Sequence, residues 1–168
     1  TEGLIHSLRS VEYPKEKFKV LVVDDGSNIP VSTASFPEVL LQKQNIEIIR
    51  LPENKGITFA LNSGLKYILE KNDALFTARL DCGDTCTPDR FYKQLQFLSV
   101  NTYIGLLGSL CLFIDRKKNI RFRYRKIKCF VAENIMNVFS EIFSNLNIIF
   151  EKIENFCKVR TFNALQKI

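Results

Sequence analysis

The chain has 168 residues, 46% of them hydrophobic and 25% charged, which places it among folded globular proteins and excludes a disordered or collagen-like chain. That length supports one domain with a full hydrophobic core and not two complete domains. A formal charge of +6, from 24 Lys and Arg against 18 Asp and Glu, points to an anionic partner without choosing among phosphates, nucleic acids and acidic membranes.

The chain begins at Thr1 without an initiator Met, as a processed chain or a fragment would. The first clear element is the apolar run Val20-Leu21-Val22-Val23, rich in β-branched residues and expected to be a strand buried on both faces. It runs into Asp24-Asp25-Gly26-Ser27. Residues 46–51 repeat the pattern more weakly. Ile57, Leu61, Leu65 and Ile68 then recur at the spacing of one helix face. Residues 75–80 predict a third strand that stops at Asp81. Thr87-Pro88-Asp89 predicts a helix start, with Thr87 as cap and Phe91, Leu95 and Leu98 on the buried face. A fourth strand is expected over 104–113. Strands separated by helices imply βαβ units and a mostly parallel sheet, an α/β fold.

All five prolines and all seven glycines fall at or before Gly108, so the last part of the chain differs in composition. Residues 115–128 hold eight Lys or Arg against one Asp. Within them Ile120, Phe122 and Tyr124 alternate with Arg121, Arg123 and Arg125, the period of a half-buried strand with one cationic face. Ile135, Phe139, Ile142, Leu146, Ile149, Ile153 and Phe156 advance in a heptad pattern, which predicts a helical C-terminal tail. The expected division is a core over 1–115 and a basic strand plus helical tail over 116–168.

Three polar clusters sit at predicted strand ends or helix starts, where open α/β sheets bind ligands. Asp24-Asp25-Gly26-Ser27 offers carboxylates to a ribose or base, although taken alone it reads first as a strand-capping turn. Asn54-Lys55-Gly56 precedes a helix and reads as an anion site or as a simple helix entry. Asp81-Cys82-Gly83-Asp84 places two carboxylates three apart, suited to a hard divalent cation completed by phosphate oxygens, or to an Asx turn. Five scattered cysteines fit reduced thiols in the cytosol better than a disulfide framework. Cys82 and Cys86 with His6 as the sole histidine disfavour a four-ligand zinc site, and that single His disfavours Ser-His-Asp chemistry. No apolar stretch reaches the roughly 18 residues of a spanning helix.

In this order, Val22 to Ser27, then Asn54-Lys55-Gly56 with Ala60-Leu61-Asn62-Ser63-Gly64-Leu65, then Ala78-Arg79-Leu80-Asp81-Cys82-Gly83-Asp84 and Pro88-Asp89-Arg90-Phe91, the chain resembles the family 2 glycosyltransferases of GT-A fold. The resemblance covers about residues 4 to 115. It implies a Rossmann-like nucleotide-diphosphosugar transferase fold whose first strand is missing from this chain. It also implies sugar transfer with inversion from a nucleotide-diphosphosugar to a saccharide or lipid-linked acceptor, in cell-surface polysaccharide synthesis. Carried over by position, Asp24, Asp25, Ser27, Asn54, Gly56, Asn62, Arg79 and Asp81 would bind the nucleotide-sugar, and Asp81 with Asp84 would hold Mg²⁺ or Mn²⁺. Gly83 stands where the family carries a central metal-binding Asp, so either Asp81 and Asp84 hold the ion differently or metal binding is impaired. The general base is left open among Asp115, Glu133 and Glu141. The expected location is cytoplasmic, with peripheral contact to an anionic membrane through the stretch between Arg116 and Lys128 and no nucleic-acid partner. The competing expectation is a catalytically incompetent fragment that serves as a nucleotide-binding or protein-interaction module.

Overall fold

The computed structural model describes residues 1–109, 112–115, 119–123, 129–131 and 160–162. The chain divides into two compact units, one holding Tyr13–Ala74 and the other holding Glu2–Glu12 with the chain from Leu75 onward.

In the first unit, β1 (Val20–Asp24) and β2 (Ile46–Arg50) pair in parallel, in a register that sets Val20 opposite Ile46 and Asp24 opposite Arg50. The helix α2 (Glu38–Lys43) lies between them in sequence, buries Leu40, and completes a βαβ unit of the kind the alternation predicts. Next comes α3 (Ile57–Lys71), which packs on β1. The approach is close because residue 64 is glycine: a Cβ there would lie 2.9 Å from Val23 Cγ2. The helix ends at Asn72, whose left-handed φ of 50° lets its N–H donate to the Ile68 carbonyl at 3.0 Å. The predicted helix face holds for Leu61, Leu65 and Ile68, which are half-buried. Ile57, the first residue of the helix, is exposed.

In the second unit, α1 (Glu2–Arg9) buries Ser7 and Leu8. The strand β3 (Phe76–Ala78) is shorter than the predicted 75–80, with Leu75 exposed. After it α4 (Arg90–Val100) has Asp89 rather than Thr87 at its cap position, since Thr87-Pro88-Asp89 is spent on a turn in which Arg90 N–H donates to the Thr87 carbonyl at 3.0 Å. Leu98 on α4, Ile104 and Leu107 form the core, with Phe76 and Leu95 against it. The predicted strand over 104–113 is two strands, β4 (Ile104–Leu107) and β5 (Leu112–Ile114). Gly108 and Ser109 separate them, and the two strands pair in different sheets. β5 forms an antiparallel hairpin with β6 (Ile120–Arg123), the alternating basic segment, which is a strand as expected through Arg123. β4 pairs antiparallel with β7 (Cys129–Val131) and parallel with β8 (Arg160–Phe162), which in turn pairs parallel with β3. The heptad seam from Ile135 to Phe156 lies outside the described residues.

Candidate nucleotide-sugar site

At the carboxyl end of β1 the chain has two adjacent carboxylates in different circumstances. Asp24 is buried, with only 1% of its side chain exposed. Its Oδ1 accepts from the Ser27 amide at 2.9 Å, and its Oδ2 accepts from the Val31 amide at 3.1 Å and from Arg50 Nη1 at 2.6 Å. Burial alone would raise its pKa, but the hydrogen bonds from Ser27, Val31 and Arg50 outweigh burial and hold the carboxyl at about 2. Asp25 faces the other way along the loop and is half-buried. Its two oxygens accept from the amides of Lys55 at 2.9 Å and Gly56 at 2.8 Å, so it caps the amino end of α3. Each of those oxygens keeps a lone pair beyond the one bond.

The backbone between these groups demands glycine. Gly26 has φ +64° and a Cβ on it would fall 2.4 Å from the carbonyl carbon of Glu53, so the loop after β1 lies directly on the loop after β2. Gly56 has φ +86° as well, but a Cβ there would meet nothing within 4 Å. Asn54 is exposed and its Oδ1 accepts from Gly56 N–H at 3.2 Å. Ser27 is half-buried, its hydroxyl donating to the Ile29 carbonyl at 2.8 Å, and Asn62 is half-buried in the second turn of α3.

In the second unit β3 leads into the acidic loop. Arg79 grips Asp81 bidentately, Nε to Oδ1 at 2.6 Å and Nη2 to Oδ2 at 2.8 Å, with 24% of the Asp81 side chain still exposed. The Asp84 amide donates to the Asp81 carbonyl at 3.0 Å, closing a turn in which Gly83 has φ +95° and Asp84 is buried. Arg90, buried on α4, supports this arrangement from beneath: its Nη2 donates to the Arg79 carbonyl at 3.0 Å and its Nε to Gln94 Oε1 at 3.2 Å. From α1, the Ser7 hydroxyl accepts from Gly83 N–H at 2.8 Å.

Hard oxygen donors on one turn suit Mg²⁺ or Mn²⁺ rather than a thiophilic ion. Among the described residues no group of three or more His, Cys, Asp or Glu side chains forms a complete cage. This turn offers a cation two carboxylates, Asp81 and Asp84, and Arg79 already bonds both oxygens of Asp81. Of the general-base candidates, Asp115 turns the β5–β6 hairpin by accepting from Asn119 N–H at 2.9 Å, while Glu133 and Glu141 lie outside the described residues. Sequence reasoning missed Arg50, Ser7 and Arg90. Arg50 left a signal as the basic end of a five-residue strand that matches the acidic end of β1, and Arg90 stood in the Pro88-Asp89-Arg90-Phe91 motif without a role assigned to it.

These features have relatives. A family model described as glycosyl transferase family 2 matches residues 2–167. An uncharacterized glycosyltransferase of Haemophilus influenzae is 30% identical over 93 residues, 55% of this chain and 33% of that protein. The bifunctional glycosyltransferase pgtA of Dictyostelium discoideum is 31% identical over 119 residues, 70% of this chain and 15% of that protein. The amylovoran biosynthesis glycosyltransferase AmsE of Erwinia amylovora is 27% identical over 140 residues, 80% of this chain and 48% of that protein. The chain thus spans less than half the length of each of these relatives.

Proposed function

Since the chain belongs to glycosyl transferase family 2, with the Rossmann-like GT-A fold the family implies, we propose that it binds a nucleotide-diphosphosugar and transfers the sugar, with inversion, to a saccharide or lipid-linked acceptor in polysaccharide synthesis. The observation that carries this reading is the repeated arrangement in which a strand leads into an acidic loop, β1 directly into Asp24-Asp25 and β3 by way of Arg79 and Leu80 into Asp81 to Asp84, at the strand ends where such folds bind ligands. The Erwinia relative, an amylovoran biosynthesis glycosyltransferase, supports the polysaccharide context.

In this reading Asp25 and the segment Asn54 to Gly56 meet the nucleoside. Asp25 keeps free lone pairs for a base N–H or ribose hydroxyl, and the open space at Gly56 admits a ligand against backbone. Asp24 and Ser27 hold the loop in shape, and Asn62 lines the same end of α3. Arg79 places a positive charge beside the acidic loop and orients the Asp81 carboxylate. A divalent cation bound by Asp81 with Asp84 would supply charge neutralisation for the departing diphosphate. The acceptor hydroxyl, deprotonated by a carboxylate, attacks the anomeric carbon on the face opposite the leaving group.

Among the described residues no helix is long and apolar enough to cross a membrane. We place the chain on the cytoplasmic side, with the basic stretch from Arg116 to Lys128 meeting anionic lipid. That placement is supported by eight Lys or Arg against one Asp in residues 115–128. The test of the whole reading is a panel of UDP-, GDP- and dTDP-sugars incubated with the full chain and Mn²⁺, following nucleoside diphosphate release. Release from at least one donor is expected, and the anomeric configuration of the product reports inversion. Binding without release from any donor would favour a nucleotide-binding module instead.

A further inference from the structure

We infer that Ser7 is a positioning residue that holds the acidic loop in its diphosphate-binding shape, an inference that rests on the function proposed above. Ser7 is nearly inaccessible, with 2% exposure, although serine gains little from burial. Its hydroxyl is where α1 and the loop meet: it accepts from Gly83 N–H at 2.8 Å, and its single proton faces the carbonyls of Gly3 at 3.0 Å and Asp81 at 3.2 Å. The two loop groups it touches flank Cys82 and lie in the turn that sets the direction of the Asp81 and Asp84 side chains. Gly83, at φ +95°, is the residue least restrained by its own sterics, so an external acceptor for its N–H decides the conformation.

One helical turn on, Ser10 repeats the device. Its hydroxyl donates to the Ser7 carbonyl at 2.6 Å and accepts from Cys86 N–H at 3.0 Å, fixing the far end of the loop to the turn that follows α1. A Cβ on Gly3 would sit 3.5 Å from Cys82 Sγ and 3.6 Å from the Gly83 backbone, in ordinary contact, so α1 lies against the loop along its first two turns. Ser7 bonds to the loop assigned above to the diphosphate, so its effect is expected on diphosphate binding.

The test compares wild type, Ser7→Ala and Ser7→Thr by calorimetric titration with UDP, GDP and dTDP, and with the parent nucleosides, in Mn²⁺. Ser99→Ala serves as control, since Ser99 on α4 makes only an exposed local bond to the Gln96 carbonyl. For the diphosphate that binds wild type, Ser7→Ala should weaken affinity about tenfold, the loss of one buried hydrogen-bond partner, with nucleoside affinity within about twofold of wild type. Ser7→Thr, which keeps the hydroxyl, should recover most of the loss. If Ser7→Ala does not fold, Ser7→Cys, with a weaker acceptor, is expected to show the same selective loss. Unchanged diphosphate affinity in the folded variant, or an equal loss for nucleoside and diphosphate, would overturn the inference while leaving the proposed function standing. A wild type that binds no diphosphate would overturn both.

Discussion

Arg50 reaches Asp24 across the parallel pair of β1 and β2, its Nη1 donating to Asp24 Oδ2 at 2.6 Å while its Nη2 donates to the Ser27 carbonyl at 2.8 Å. One guanidinium thus ties the carboxylate and the loop after it, and it does so because the register sets the two strand ends opposite each other. The neighbouring Asp25 is left to face α3. Two carboxylates that look alike in sequence therefore divide their tasks, one holding the loop and the other presenting it.

Asp24→Asn is expected to destabilise the first unit. The amide cannot accept from Ser27, Val31 and Arg50 together, and its NH₂ would oppose a donor. The cost should be about 2 to 3 kcal/mol in chemical denaturation, against about 1 kcal/mol or less for Asp25→Asn, whose partners are partly reached by water.

The same carboxylate gives the acid limb of stability a definite sign. Its folded-state pKa of about 2 lies below the ordinary 3.8, so its stabilisation is full above the unfolded value and is lost as pH falls from about 4 towards 2. At roughly 1.4 kcal/mol per pH unit the loss amounts to about 2 kcal/mol. Denaturation midpoints measured across that window should fall less steeply in Asp24→Asn than in wild type. Equal slopes would contradict this assignment.

Two glycines of positive φ should respond differently to alanine. Gly26→Ala drives a Cβ into the Glu53 backbone at 2.4 Å and should cost about 3 kcal/mol or prevent folding. Gly56→Ala meets nothing within 4 Å and should cost only the conformational strain, about 1 kcal/mol. Thermal unfolding of the two variants side by side measures the difference.

Gly64→Ala sets helix propensity against packing. Alanine favours the helix by about 1 kcal/mol, but its Cβ would press on Val23 Cγ2 at 2.9 Å, so a net loss of about 1 kcal/mol is expected. Adding Val23→Ala should make the two changes non-additive, the cavity of one receiving the methyl of the other. A double-mutant cycle on denaturation free energies reads this coupling.

Much of the architecture was legible because periodicity reports burial directly. The run from Val20 to Asp24 and the helix starting at Ile57 appear where the apolar spacing places them. The single strand expected over 104–113 is two strands because the chain breaks after Leu107, at Gly108, and its two parts pair in different sheets. Polar partners were harder to foresee. Ser7 and Gly83 are 76 residues apart, and nothing in their local sequence reports a hydrogen bond made by the docking of a helix on a loop. Arg79 beside Asp81 was visible as sequence, but its grip on both carboxylate oxygens is a matter of geometry alone.

The central claim is that this chain binds a nucleoside diphosphate, and calorimetric titration of wild type, Asp25→Asn and Asp81→Asn with UDP, GDP and dTDP in Mn²⁺ tests it most directly. The account predicts that one diphosphate binds wild type and that each substitution weakens it about tenfold or more, with the fold retained. Binding that neither substitution alters, or no binding to wild type, would contradict it.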